Sequence, residues 1–266
     1  KVRRAAYAGM FDKVYGKDAL KEVDPAYERI AAALAAFERG PELQPFSSKY
    51  DAWLAGRAKL TKQELRGLKL YEDEKKGNCA ACHPSQRGPK GEPPLFTDFT
   101  YDNLGVPRNP ANPFYGQDKA HNPDGRRFVD RGLGAAVNKP AEDGKFKVPT
   151  LRNVGQRVAL MHNGYFTRLR DAVAFYATRD TDPARWYPGG VPFDDLPPAY
   201  HANVNRSEAP YDRKPGESPR LDDAEVSAVV TSTNGVPVIV ERAMYLNLPG
   251  QVFGAGHESA GVEAPA

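Results

Sequence analysis

Apolar residues recur at helical spacing in several separate stretches of the chain. After Tyr27, the positions Ile30, Ala31, Leu34 and Phe37 fall on one helical face. Asp24-Pro25 reads as an N-cap followed by proline at the first helical position, and Gly40-Pro41 as the stop. A packing helix inside a helical segment over residues 1–55 is therefore expected. Thr61-Lys62-Gln63-Glu64 is a capping box opening a second helix, with Leu65, Leu68 and Tyr71 on its apolar face. Leu169, Val173 and Tyr176 stand at i, i+4 and i+7 of a third. Leu221 to Val230 begins a fourth, with Asp222 and Asp223 near its N-terminus.

The rhythm is interrupted between Pro84 and Phe146, where proline and glycine surround Phe96, Phe99, Tyr101, Phe114 and Tyr115. So long a connection is usually functional. Each aromatic either walls a bound group or pins the loop to the core. Asp180 to Pro219 is polar and again rich in proline and glycine. At Thr231-Ser232-Thr233-Asn234-Gly235 the pattern turns towards the β-branched run Val236 to Val240, which reads as strand or hairpin. The expected organisation is mainly α: a helical segment over 1–55, a domain with long ordered loops over 56–230, and a tail of unassigned role over 231–266.

With 266 residues the chain is long enough for one large domain or two small ones. Its 40% hydrophobic content with 24 Gly and 24 Pro fits a compact core carrying ordered loops. A formal charge of +3 is too balanced for nucleic-acid binding or a polybasic membrane contact. No run approaches the ~18 apolar residues of a membrane span. The chain opens at Lys1 with no signal-peptide pattern and reads as a mature or trimmed product.

Chemistry concentrates at Cys79-Ala80-Ala81-Cys82-His83, which contains both cysteines of the chain. C-x-x-C-H is the attachment sequence of a c-type haem. The two thiols can each form a thioether to one porphyrin vinyl group, and His83 then falls beneath the ring as the proximal iron ligand. A redox C-x-x-C needs no following histidine. A zinc site needs four ligands and there is no second cysteine pair. A disulfide across so short a loop stabilises little. The second ring nitrogen of His83 is expected to donate to a backbone carbonyl. Because thioether attachment takes place outside the bacterial cytoplasm, a periplasmic or otherwise exported location follows. A helix running into the motif suits a small cytochrome c-like haem domain. Arg152 is a candidate partner for a haem propionate, or else an ordinary ion-pair residue. Met161 offers a thioether for the far side of the iron. Tyr176 shares its face with Leu169 and Val173 and should point inward. His121, His201 and His257 read as surface residues, and Met10 and Met244 as packing.

Taken together, Cys79 to His83, Phe96-Thr97-Asp98-Phe99, Asn103 to Asn109, Val148 to Val154 and Met161-His162-Asn163-Gly164 resemble the bacterial di-haem cytochrome c peroxidase family, including its MauG-type members. Order and spacing fit over about residues 1–230. The resemblance implies a cytochrome c-like C-terminal domain with one covalent haem, paired with an N-terminal domain that holds a second haem and reacts with hydrogen peroxide. Electron transfer would then be coupled to peroxide-dependent oxidation of a redox partner protein, a peroxidase activity needing both haems. The alternative is a mono-haem periplasmic electron carrier or cytochrome subunit without peroxidase activity. Nothing before Cys79 can hold another haem covalently, and Lys1 onward matches the part that follows the first haem motif. The second haem is thus expected on a preceding segment, on another chain, or not at all, with residues 1–55 belonging to or contacting its domain. Counting from His162 by the family's offset reaches Tyr176, where MauG-type members carry a tyrosine ligand. Tyr176 is the expected distal ligand by this resemblance, Met161 the alternative, and a core tyrosine the plain reading. His162 is expected near the haem without coordinating it. A calcium ion between the haems is expected to be weak or lost. Arg157 and Ala159 stand where threonine and proline are usual, and a guanidinium ~5 Å from Ca²⁺ is repelled by roughly 7 kcal/mol at an effective dielectric of ~20.

Overall fold

A computed structural model of the chain describes residues 1–234, 240–245 and 256–261. The helices are α1 (Ala8–Tyr15), α2 (Val23–Glu38), α3 (Lys49–Leu54), α4 (Lys62–Glu72), α5 (Leu133–Val137), α6 (Leu169–Thr178), α7 (Pro183–Trp186) and α8 (Asp223–Asn234). Two antiparallel pairs join β1 (Tyr101–Asp102) to β2 (Phe146–Lys147) and β3 (Val240–Tyr245) to β4 (Gly256–Gly261). Tyr101 lies opposite Lys147, and Val240 opposite Gly261. The fold is mainly α, and no helix among the described residues is long and apolar enough to cross a membrane.

The chain divides into two compact units, residues 1–52 with 238–266, and residues 53–237. In the first, Ala19, Leu20 and Ala26 are buried. α2 starts at Val23, with Glu22 and not Asp24 at the N-cap. Pro25 falls inside the first turn, where its missing N–H costs nothing. The face Tyr27, Leu34 and Phe37, read as a packing stripe, is exposed, and so are Tyr7, Met10 and Val14 at the same spacing along α1.

In the second unit, α4, α6 and α8 pack together. The capping box at Thr61 forms as expected, its hydroxyl accepting from Glu64 N at 3.2 Å. The buried face of α4 is Gly67, Leu70 and Tyr71. Leu65, expected on this face, is exposed. Phe175 of α6, Val226 and Val229 of α8, and Trp186 and Tyr187 complete the core, each such side chain contributing on the order of 1.5–3 kcal/mol by burial. Helix α8 runs on to Asn234, so Thr231 to Asn234, expected as a turn, are helical. Gly235 to Ile239, most of the expected strand, lie outside the described residues.

The long passage from Pro84 to Phe146 is built from short turns and α5, and it is closed at its mouth by β1–β2. Thr97 Oγ1 donates to the Val148 carbonyl at 2.6 Å, Val148 N to Thr100 O at 2.8 Å, and Thr150 Oγ1 to Leu95 O at 2.6 Å. Two of the motif words, separated by some fifty residues, are thus sewn edge to edge.

Candidate haem site

The chain reaches the C-x-x-C-H motif through a backbone that leaves little choice of residue. Beyond α4, Gly77 N donates to Leu70 O at 3.1 Å. A Cβ on Gly77 would stand 2.7 Å from that oxygen and 3.2 Å from Cys79 Sγ. Asn78 takes the left-handed conformation, φ 50°, which asparagine tolerates, and its Nδ2 donates to Ala209 O at 3.1 Å. A single 3₁₀ turn, Cys79–Ala81, then brings His83 N onto Cys79 O at 2.9 Å. The motif coils on itself, leaving both thiols free and half-buried.

Burial pushes the Cys79 thiol up to about 12 and the Cys82 thiol up to about 11, the latter helped by Asp98 and Asp102. Both remain neutral thiols at ordinary pH. His83 is held at its ring and at its carbonyl, and Cys82 beside it at its own carbonyl. Its Nδ1 lies 2.7 Å from the Phe96 carbonyl. A carbonyl only accepts, so Nδ1 carries the proton and Nε2 keeps its lone pair for a metal. Tyr71 donates to the His83 carbonyl at 2.6 Å, and Asp98 N donates to Cys82 O at 2.9 Å. Burial lowers the His83 pKa and favours the neutral, ligating imidazole. Phe96 offers its carbonyl from a left-handed backbone, φ 51°. Arg152 braces this loop, with Nε on Pro94 O at 2.9 Å and its guanidinium 5.7 Å from the centre of the Phe96 ring.

Tyr176 lies on the half-buried side of α6. Burial is the chief cause that raises its phenol pKa, with the Cys79 thiol and Asp102 next. Met161 packs against the hydrophobic core in a left-handed conformation, φ 68°. His162 is a hydrogen-bonded structural residue. Its Nε2 meets Asp195 at 3.0 Å, and its ring stacks on Phe146 with centroids 3.6 Å apart. His121 pairs with Asp118 at the surface. His201, expected at the surface, is half-buried and bonded to Leu196 O at 2.9 Å, because the 3₁₀ helix Pro198–Asn203 folds it back against Phe193. The side chain of His257 lies outside the described part.

The word Asn103 to Asn109 works through its backbone. Leu104 O accepts from Arg179 at 2.9 Å, Gly105 O from Tyr187 at 2.5 Å and Pro107 O from Asn163 at 2.8 Å. Asn109 Nδ2 reaches Asn163 O at 2.9 Å. Two of the words recognised in the sequence, Asn103 to Asn109 and Met161 to Gly164, therefore share one hydrogen-bond frame. Residues the sequence reading passed over are Arg179, fully buried against Asp180, and Tyr211. Their signals were an arginine one turn beyond Tyr176 and a lone aromatic in a polar run.

The donor set suits a covalent haem. Two free neutral thiols stand at thioether spacing, an imidazole is fixed by a bond at Nδ1, and the Tyr176 phenol feels the Cys79 thiol and has no hydroxyl partner among the described residues. A mainly α fold organised around such a site defines a c-type haem protein. The family described as di-haem cytochrome c peroxidase matches residues 1–59. The methylamine utilization protein MauG of Paracoccus denitrificans is 38% identical over 173 residues, covering 64% of this chain and 42% of that protein. The cytochrome-c peroxidase IdrP1 of Denitromonas iodatirespirans is 31% identical over 183 residues, 64% of this chain and 45% of its own length. The diheme peroxidase BthA of Burkholderia thailandensis superimposes with a TM-score of 0.75 at 40% identity, over 87% of this chain and 56% of that one. Over these stretches the chain is similar to di-haem cytochrome c peroxidases and to MauG. It spans less than half the length of the curated relatives it matches.

Proposed function

We propose that this chain is the electron-handling haem domain of a di-haem peroxidase or MauG-type oxidase. Cys79 and Cys82 hold one haem c, and His83 is its proximal ligand. The carrying observation is the His83–Phe96 bond, which sets the imidazole tautomer that iron needs. A bound haem supplies the redox chemistry, namely one-electron exchange and access to oxidised iron. The chain's own residues do the rest: Phe96 and Tyr71 fix the imidazole, α6 carries Tyr176 to the distal side, and Arg152 stands ready for a propionate. Met161 is the competing distal ligand. A buried phenol with a raised pKa gives up its proton only against a strong positive charge, so Tyr176 as phenolate favours ferric iron.

Hydrogen peroxide reacts in this reading at a second haem on a partner domain. The exposed faces of α1 and α2 suit contact with that domain. A protein redox partner exchanges electrons, and the location is periplasmic or otherwise exported. Calcium between the haems is weak or lost. Arg157 is exposed on the segment where its binding loop would lie, and elemental analysis of the assembled protein decides the point. The main test combines a pyridine haemochrome count with peroxide turnover on the native assembly. Two haems per particle and peroxide-dependent oxidation of a reduced cytochrome support the reading. One haem without turnover returns the protein to the mono-haem carriers. Release of haem into acidified organic solvent from denatured protein refutes covalent attachment.

A further inference from the structure

Two phenols of this unit obey the usual rule that a buried tyrosine hydroxyl is hydrogen-bonded. Tyr71 donates to His83 O and Tyr187 to Gly105 O. Tyr176 and Tyr211 differ: neither hydroxyl has a partner among the described residues, and neither oxygen is fully buried. Tyr211 is 6% exposed, and its ring lies 5.9 Å from that of Tyr176, tilted by 35°. Its other neighbour is a fixed cation, the Arg179 guanidinium, 4.4 Å from the ring centre. Arg179 is itself held by Asp180 at 2.8 Å, Leu104 O at 2.9 Å and Asn205 O at 2.6 Å.

The loop carrying Tyr211 is tied on both sides to the approach of the haem motif. Asn78, the residue before Cys79, donates to Ala209 O at 3.1 Å. Asp212 pairs with Arg220, which donates to Lys75 O at 2.9 Å. Tyr211 is thus a wedge clamped between an immobile charge and the Tyr176 ring.

The geometry points to Tyr211 as a positioning residue: its ring, backed by Arg179, aims the Tyr176 phenol at the iron. This rests on the reading of Tyr176 as the distal ligand. Tyr211 packs against the Tyr176 ring at 5.9 Å, with Phe175 at 6.3 Å as the other aromatic neighbour of Tyr176. A ring without the hydroxyl should do the work, and a flexible aliphatic chain should not. Arg179 acts through Tyr211, so loosening its planar fork loosens the wedge.

The test uses the haem-loaded full chain, read by EPR of the ferric haem and by its midpoint potential, with thermal stability measured alongside. Tyr176→Phe defines the spectrum of a haem without the phenolate. Tyr211→Leu should give a mixture containing that spectrum, and should move the ferric/ferrous equilibrium at least tenfold, about 59 mV for one electron. Tyr211→Phe should keep the wild-type lines and potential. Arg179→Lys should reproduce part of the Tyr211→Leu mixture, and it decides the matter if Tyr211→Leu fails to retain haem. Wild-type spectrum and potential in Tyr211→Leu, or in Arg179→Lys where that variant decides, overturn the proposal even if stability falls. A Tyr211→Phe variant that behaves like Tyr211→Leu overturns the ring-packing role. If Tyr176→Phe itself matches wild type, the ligand reading fails and this inference fails with it.

Discussion

The hydroxyl of Tyr71 donates to the carbonyl of His83 at 2.6 Å, so the last turn of α4 grips the backbone of the proposed proximal ligand. The ring of Tyr71 also meets Phe96 edge-on at 6.5 Å, and Phe96 supplies the carbonyl that holds the His83 imidazole. One tyrosine therefore steadies both supports of the ligand. Tyr71→Phe keeps the ring and loses the bond. It should cost about 1–3 kcal/mol, since a buried acceptor is left unsatisfied. Denaturant titration of the haem-loaded protein measures the loss, and haem should remain covalently attached.

Asp180 neutralises a buried arginine. Its side chain and that of Arg179 are both almost fully enclosed. Asp180→Leu would leave the guanidinium with two carbonyls and no counter-charge, which should cost about 3–5 kcal/mol. A variant with unchanged thermal stability would show that water reaches Arg179.

Gly105 sits at φ 58° with the Phe193 ring directly over the place a Cβ would occupy. Its carbonyl receives the Tyr187 hydroxyl at 2.5 Å. Gly105→Ala must shift that ring or the backbone, and should lose about 1–3 kcal/mol. Gly116, with open space around it, is the control position: Gly116→Ala should be near neutral.

Acid weakens one tie near the motif in a calculable direction. The hydrogen bond from Arg220 holds the Asp212 carboxyl below the usual carboxylate range. With a depressed folded-state value, the pair's contribution is present above the unfolded pKa of about 4 and is lost as pH falls through the folded value. The pair is partly exposed, so the effect is small. Asp212→Asn should lower the melting temperature slightly at neutral pH, and the difference from wild type should shrink as the pH falls below the ordinary carboxylate range. A gap that persists unchanged in acid would mean the asparagine disrupts packing, not charge pairing.

Much of the fold was legible wherever a local signal decided the outcome. The capping box at Thr61 and the stop at Gly40-Pro41 needed only their own residues. The C-x-x-C-H motif points to haem because two thiols and an imidazole at that spacing have few other uses. Burial was harder to read. Leu65 and Tyr27 obey helical periodicity yet lie exposed, because periodicity marks a face without saying what covers it. The extension of α8 to Asn234 overrode an Asn-Gly turn signal, since a helix anchored by Val226 and Val229 can carry weaker formers at its end. Arg179 and Tyr211 escaped notice because their partners come from distant segments: Leu104, Asn205 and Tyr176 meet only once the chain is folded.

The two-residue ladder of β1 and β2, with Thr97 and Thr150 reinforcing it, makes the passage between them a drawn purse whose neck is fixed, whose lining is bonded to the core, and whose exposed outer rim is Gly116 to His121. Doubling the length of such a loop costs only about 0.6 kcal/mol in closure entropy. Variation in length can therefore gather near Lys119, far from the neck, without moving the carbonyl of Phe96. Descendants of this chain could acquire new surface there, and with it new partners, while the grip on His83 stays as it is.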